Sequence, residues 1–211
     1  MATSNPGKLR DFSALLSPGE IELELMPANA LQPAPAETGA TFEENARIKA
    51  IQYSQRLPGE LVLADDSGLE VDALDGAPGV HSARYAALEE FANSHENSPD
   101  DANNARLLRE LDRVPDAQRT ARFLCVLALA RAGEVLKISR GTVEGMILRE
   151  QRGSGGFGYD PLFMVPELGV TFAQISTEQK GENSHRGRAF RAMLEKIGCG
   201  IGTVEFGDPV L

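Results

Sequence analysis

The chain has 211 residues, a formal net charge of -10 and a sequence pI near 4.9, with 42% apolar and 25% charged residues. That length suits one sizeable domain with its own core, in ordinary globular proportions. The acidic balance argues against duplex nucleic acid, whose phosphates demand a basic face, but it admits a nucleotide held through a divalent ion and a few cations.

In chain order, Asn5-Pro6 opens a helix, with Asn5 as cap and Pro6 in the first position. Leu9, Phe12, Leu15 and Leu16 supply its apolar stripe. Ile21 to Met26 alternates apolar and acidic residues and reads as a half-buried strand. Residues 27–40 hold three prolines and form a loop ending in Glu37-Thr38-Gly39. Thr41, with Glu44 three residues on, is a capping box. Phe42, Ala46, Ala50, Tyr53 and Leu57 then share one helix face, and Pro58-Gly59 stops it. Next, Leu61 to Ala64 is a buried strand that delivers Asp65 and Asp66 to its exposed end. Leu69 to Leu74 forms a second strand, followed by a turn at Gly76-Ala77-Pro78-Gly79. Successive strand side chains point to opposite faces, so one aspartate faces a site and the other braces the turn.

Residues 88–101 read as a mobile acidic surface loop, and Asp101 to Val114 as an amphipathic helix. Arg122 to Arg131 and Glu134 to Leu148 form a hairpin around Ala132-Gly133. The apolar run Phe123 to Leu129 makes its first strand central. A glycine cluster, Gly153 to Asp160, precedes a short apolar segment at Leu162 and Phe163. Ser184 caps a last helix to about Ile197, and residues 198–211 form an irregular tail. Helices and strands alternate early and an antiparallel hairpin follows, which predicts an α/β fold with a mixed central β-sheet, a single domain over 1–197. There is no run of about 18 apolar residues and no leader pattern in MATSNPGK. Cys125 and Cys199, lacking metal spacing, read as incidental thiols of a reducing cytoplasmic protein.

Four groups of residues have the types that chemistry needs. Thr3-Ser4-Asn5-Pro6-Gly7-Lys8 sets exposed backbone N–H groups and an ammonium at a helix start, which is either a phosphate site or an ordinary capped start. Glu37, Asp65 and Asp66 could share a magnesium ion with substrate phosphates, one aspartate activating a water, or they are surface acids. Phe157-Gly158-Tyr159-Asp160 can offer a ring face to a purine and a carboxylate to a ring N–H, or simply plug a turn. Lys180 precedes Ser184, which caps a helix and places His185 and Arg186 in its first turn, where an anion or carbonyl acceptor would explain them, or they are simply solvated. His81 and Arg84 follow the Pro-Gly turn, and Arg84 reaches either a phosphate or a partner helix.

Five blocks occur in one order: ATSNPGKLRDF, ETGATFEENARIKA, LADDSGLEVDALDGAPGVHSARY, GSGGFGYDPLF and K-x4-HRGRA. In that combination the chain resembles the inosine triphosphate pyrophosphatases, which act on non-canonical purine nucleoside triphosphates. The resemblance spans Ala2 to about Leu194. It implies Mg²⁺-dependent hydrolysis of ITP, dITP and XTP to monophosphate and pyrophosphate by a cytoplasmic homodimer. It also implies a mixed-sheet fold in two lobes with the nucleotide in the cleft between them. By position, Asp66 matches the proton acceptor and metal ligand, and Glu37 a second metal-binding acid. Thr3 to Lys8, Ser67, Phe157 to Asp160, Lys180, His185 and Arg186 match the substrate-binding positions. Donors from His185, Arg186 or backbone N–H groups aimed at O6 would reject adenine, whose amino group would face them unpaired. Members of that family have apolar residues before the AT-x-N segment. Met1-Ala2-Thr3 therefore reads as a truncated start or a strand reduced to a stub. The alternatives are a pyrophosphatase of related scaffold acting on other nucleotides and a non-catalytic nucleotide sensor.

Overall fold

Strand β2, Thr120–Arg131, is apolar on both faces because helices cover both of them. It pairs with β1, Val62–Val71, on one side and with β3, Glu134–Ile147, on the other. Two short strands, β4 (Phe163–Val165) and β5 (Val170–Thr171), complete a five-stranded antiparallel sheet in the order β1-β2-β3-β4-β5. Among the described residues the parallel component of the expected mixed sheet is one bridge, Ala2 beside Ala64, where the Ala2 N–H donates to the Leu63 carbonyl at 2.9 Å. Ala132 and Gly133, both at positive φ, make the two-residue β2–β3 turn. The structure, a computed structural model, describes residues 1–3, 5–13, 15, 23–90 and 98–198.

Helix α1 is Pro6–Ser13 and α2 is Phe42–Arg56, the latter opened by the expected Thr41–Glu44 capping box. A four-residue helix α3, Ala87–Glu90, and α4, Asp100–Glu110, border residues 91–97, so most of the expected 88–101 loop lies outside the described residues. Helix α6, His185–Lys196, starts at Ser184, whose hydroxyl accepts from the Gly187 N–H. A further helix, α5, Thr177–Asn183, absent from the expected elements, is capped reciprocally by Ser176 and Gln179. The expected strand at 21–26 is partly outside the described residues, and 23–26 form no strand. Met26 N–H still donates to the Met1 carbonyl at 3.0 Å. Cys199, Ser4 and the tail beyond Gly198 are also outside the described residues.

Strand β1 corrects one expectation. It is a single ten-residue strand, so Asp65 and Asp66 sit in its middle, paired with Leu127 and Val126, and no turn follows them. The pleat explains how a buried strand tolerates them. On one face Val62 and Ala64 pack under α2 with Leu124, Val126, Phe42, Ala46 and Ala50. On the other, Leu63 joins Cys125, Leu127, Phe12 and Phe190 beneath α1 and α6, while Leu69 and Val71 join a separate cluster with Phe123, Phe163 and Phe172. Asp66 and Gly68 on the first face, and Asp65 and Ser67 on the second, fall where the apolar rows break. Because β1 is an edge strand, both breaks open onto one cleft.

Candidate functional site

The cleft has a volume of about 610 Å³. Its walls are the start of α1, the loop 34–37, the middle of β1, the 3₁₀ segment Gly79–Arg84, the start of α4 and the loop at Phe157 to Asp160. Asn5 caps α1, its Oδ1 accepting from the Gly7 N–H at 2.8 Å and the Lys8 N–H at 3.2 Å, while Thr3 Oγ1 accepts from the Asn5 N–H at 3.2 Å. Those helix-start N–H groups are therefore already satisfied, and anion affinity at this end falls to the Lys8 ammonium. Gly7 is there because a Cβ would stand 2.5 Å from the Phe157 ring.

On the α2 face, Lys49 Nζ lies 2.7 Å from Asp66 Oδ1 and 3.1 Å from Glu37 Oε1, and Arg84 Nη1 lies 3.1 Å from Glu37 Oε2. Asp66 Oδ2 is buried without a hydrogen-bond partner among the described residues. On the α1/α6 face, Lys8 Nζ lies 2.8 Å from Asp65 Oδ2, to which Ser67 also donates at 3.1 Å. Arg186 bridges Ser67 Oγ at 3.0 Å to Asp11 at 2.9 Å, and Lys180 bridges Asp11 at 3.2 Å to Asp160 at 2.6 Å. Sequence reading missed Lys49 and Asp11. Their signal was a charged residue inside an apolar helical stripe, since Lys49 falls between Ala46 and Tyr53 on the face that α2 buries.

These surroundings drive the neighbouring aspartates apart. Burial pushes the Asp66 carboxyl above the ordinary aspartate range, more than Lys49 and Lys8 bring it down. Burial of Asp65 is outweighed by Lys8, Lys49 and Arg186, which hold it below that range. For Lys49, burial alone would depress the ammonium, but Asp66, Asp65 and Glu37 hold it well above the usual lysine value. Two carboxyls pushed in opposite directions can take different parts in one reaction. Asp65, expected to brace a turn, instead anchors Lys8 and Ser67.

The loop Phe157 to Asp160 is fastened at several points. Asp160 Oδ2 accepts from the Phe157 N–H at 2.8 Å, Tyr159 Oη donates to the Ser82 carbonyl at 2.8 Å, and Gly158 is held by Asp100 and Asn104. Gly156 sits at φ +71°, where a Cβ would meet Asp160 Oδ2 at 2.1 Å. Phe157 lines the cleft, with Lys180 Nζ 4.7 Å and the Arg186 guanidinium 4.8 Å from its ring centroid. Asp160 has one oxygen committed to this turn and to Lys180, and burial raises its carboxyl above the ordinary range. His185 does not line the cleft. It is 1% exposed and stacks on Phe123 at 4.7 Å, with neither ring nitrogen partnered among the described residues. Burial, then Arg186 and Lys180, hold it neutral far below the ordinary histidine value.

Among the described residues no cluster of three or more acidic, histidine or cysteine side chains could cage a metal. The donor set instead fits an ion such as magnesium, which takes one or two carboxylates and completes its shell with water and phosphate oxygens. The free Asp66 Oδ2 is the side-chain oxygen available for it, and Glu37 is the second acid beside it.

Fold and cleft together define an α/β protein whose sheet edge carries paired cations and acids, a surface suited to a polyphosphate with a divalent ion. The sequence profile of the Ham1 family matches residues 1–196, and the chain belongs to that family. A Geobacillus kaustophilus protein named dITP/XTP pyrophosphatase is 48% identical over 93% of this chain and 92% of its own length. A protein of the same name from Acidobacterium capsulatum is 48% identical over 93% and 96%. The solved Ham1 protein of Staphylococcus aureus aligns with a TM-score of 0.76 at 40% identity, covering 93% of this chain and 96% of that one. The Ham1 protein of Coxiella burnetii aligns with a TM-score of 0.78 at 38% identity and the same coverage. The resemblance drawn from the five sequence blocks is borne out.

Proposed function

We propose that the protein hydrolyses non-canonical purine nucleoside triphosphates, dITP, ITP and XTP, to the monophosphate and pyrophosphate. The observation that carries this is Asp66, a mid-strand carboxylate with one oxygen on Lys49 and the other unpartnered in a cation-lined cleft. The relatives named dITP/XTP pyrophosphatase support the substrate class.

Asp66 takes a proton from the water that attacks the α-phosphorus, and the α–β anhydride bond breaks with pyrophosphate leaving intact. Lys49 orients Asp66 and keeps it ionised. Asp66 and Glu37 would hold Mg²⁺, which when bound would neutralise phosphate charge and acidify water. Lys8 receives phosphate oxygens, with Thr3, Asn5 and Ser67 lining the approach. The base stacks on Phe157 in the pocket formed by Gly158, Tyr159 and Asp160. Lys180 and Arg186 bear on the same ring, and His185, buried on Phe123 off the unliganded cleft, would join the base-recognition set only when a bound base reaches it. Donors there favour an O6 acceptor, and adenine's amino group would leave them unpaired at a cost of about 1–3 kcal/mol each. We further assign a two-lobed single domain through residue 197, a homodimer and a cytoplasmic setting. No described helix is long and apolar enough to cross a membrane.

The test is side-by-side assay of dITP, XTP, dTTP and ATP for pyrophosphate and orthophosphate. Pyrophosphate from the first two is expected, and orthophosphate as first product would overturn the reading. Asp66→Asn should lower kcat by about 10²–10⁴-fold while dITP still binds. Turnover at the wild-type rate would remove Asp66 from its role.

A further inference from the structure

Arg84 ends the 3₁₀ segment Gly79–Arg84 and lines the cleft, yet none of the steps above uses it. Its backbone is held in place. Ser82, two residues earlier, accepts from the Leu69 N–H of β1 at 2.9 Å, donates to the Gly79 carbonyl at 2.6 Å and receives Tyr159 Oη on its own carbonyl. The ionic partner of Arg84 among the described residues, Glu37, is differently placed. Glu37 lies in the irregular loop ahead of α2, and its side chain is 30% exposed against 8% for Arg84. Both Glu37 oxygens are occupied by cations, Oε1 by Lys49 and Oε2 by Arg84.

The four groups Arg84, Glu37, Lys49 and Asp66 balance in charge. If Glu37 turns an oxygen to a divalent ion, Arg84 is left as a buried cation without a counter-charge, which is costly unless another anion replaces it. The arginine fork matches a phosphate as well as a carboxylate. We propose that Arg84 exchanges partners, holding Glu37 in the unliganded cleft and a phosphate oxygen of the substrate in the loaded one. The exchange couples metal and polyphosphate binding, because each event removes the obstacle to the other. This rests on the pyrophosphatase reading, and Arg84 is a positioning residue for Glu37 before it becomes a phosphate contact.

The experiment uses the full chain and two ligands that need no turnover. Mn²⁺ binding without nucleotide is followed by electron paramagnetic resonance, and pyrophosphate binding at fixed Mg²⁺ by calorimetry. Arg84→Met frees Glu37, so Mn²⁺ alone should bind about tenfold more tightly, while pyrophosphate weakens by roughly tenfold to a hundredfold, the worth of a charged hydrogen bond. Arg84→Lys keeps the charge and loses the fork. It should leave Mn²⁺ binding near wild type and weaken pyrophosphate about tenfold, and it decides the matter if Arg84→Met does not fold. A plain structural ion pair gives the opposite sign for the metal, because losing Arg84 would disorder Glu37 and weaken Mn²⁺. Weaker or unchanged Mn²⁺ binding in Arg84→Met, or pyrophosphate affinity unchanged in either variant, overturns the exchange. A wild type that releases no pyrophosphate from dITP would sink the pyrophosphatase reading instead, and the metal titration would stand apart from it.

Discussion

Replacing Lys49 by Met tests the centre of the site. Lys49 is 8% exposed and Asp66 is 6% exposed, and their 2.7 Å pair is the charge contact of Asp66 Oδ1. Breaking a buried pair by removing one partner costs about 3–5 kcal/mol. Glu37 would keep Arg84, so only Asp66 is stranded, and the lower end, about 3 kcal/mol, is the expected loss. At roughly 2–4 °C per kcal/mol for a chain of this size, Tm should fall by about 6–12 °C. The catalytic signature is separate. Asp66 must be ionised to accept a proton, and burial already places its carboxyl above the ordinary aspartate range. The acid limb of kcat/KM reports this ionisation, which a divalent ion on the same carboxylate would also favour. Lys49 is the leading influence that lowers the Asp66 pKa, so the limb should move up in Lys49→Met. Circular-dichroism melts and a pH–rate profile of pyrophosphate release read both effects. Lys49→Met/Asp66→Asn, which strands no charge, should regain part of the lost stability. A Tm fall under about 2 °C together with an unmoved acid limb would refute the reasoning.

Three further outcomes follow from the geometry. Phe157→Ala should raise KM for dITP by about 5–150-fold, the worth of one base stacked on an aromatic ring, with little change in kcat; equal loss in both parameters would deny Phe157 a ground-state contact. Gly141→Ala puts a Cβ 2.1 Å from the His185 carbonyl and 2.4 Å from the Ala189 nitrogen. These backbone atoms of α6 cannot swing aside, so thermal unfolding should show a loss of about 1–3 kcal/mol. His185 has a depressed folded pKa, so below pH about 6.5 the unfolded chain takes up a proton that the folded one does not, and stability is lost as pH falls. His185→Phe, which keeps a ring on Phe123, should flatten the fall in Tm between pH 6.5 and 5, and an unchanged slope would assign the acid sensitivity elsewhere.

Local signals carried much of the fold. Thr41 and Glu44, Asn5, Ser184 and the Ala132-Gly133 turn all act where their chemistry says they should. The reading failed at β1 because Asp65-Asp66-Ser67-Gly68 has the composition of a strand end. What keeps it a strand is long-range pairing with Val126, Leu127, Cys125 and Leu124, which no local pattern reports. The site was legible as a set of types but not as partnerships. That Lys8 belongs to Asp65 and Lys49 to Asp66 depends on which face of the pleat each aspartate takes and which helix covers it. His185 and Arg186 looked solvated by position, yet are buried because α6 docks end-on against Phe123 and Asp11.

The edge position of β1 has a consequence for solubility. An edge strand's outer N–H and C=O groups can template a strand from another chain, and proteins guard against this with inward charges, prolines and covering segments. Here Ala2 covers one end of the edge, Pro78 bridges Glu70 near the other, and Asp65 and Asp66 hold charge between them. The same stretch that would receive a polyphosphate is therefore also where charge interrupts the strand edge. A variant made apolar at both aspartates would trade hydrolysis for a sticky ribbon.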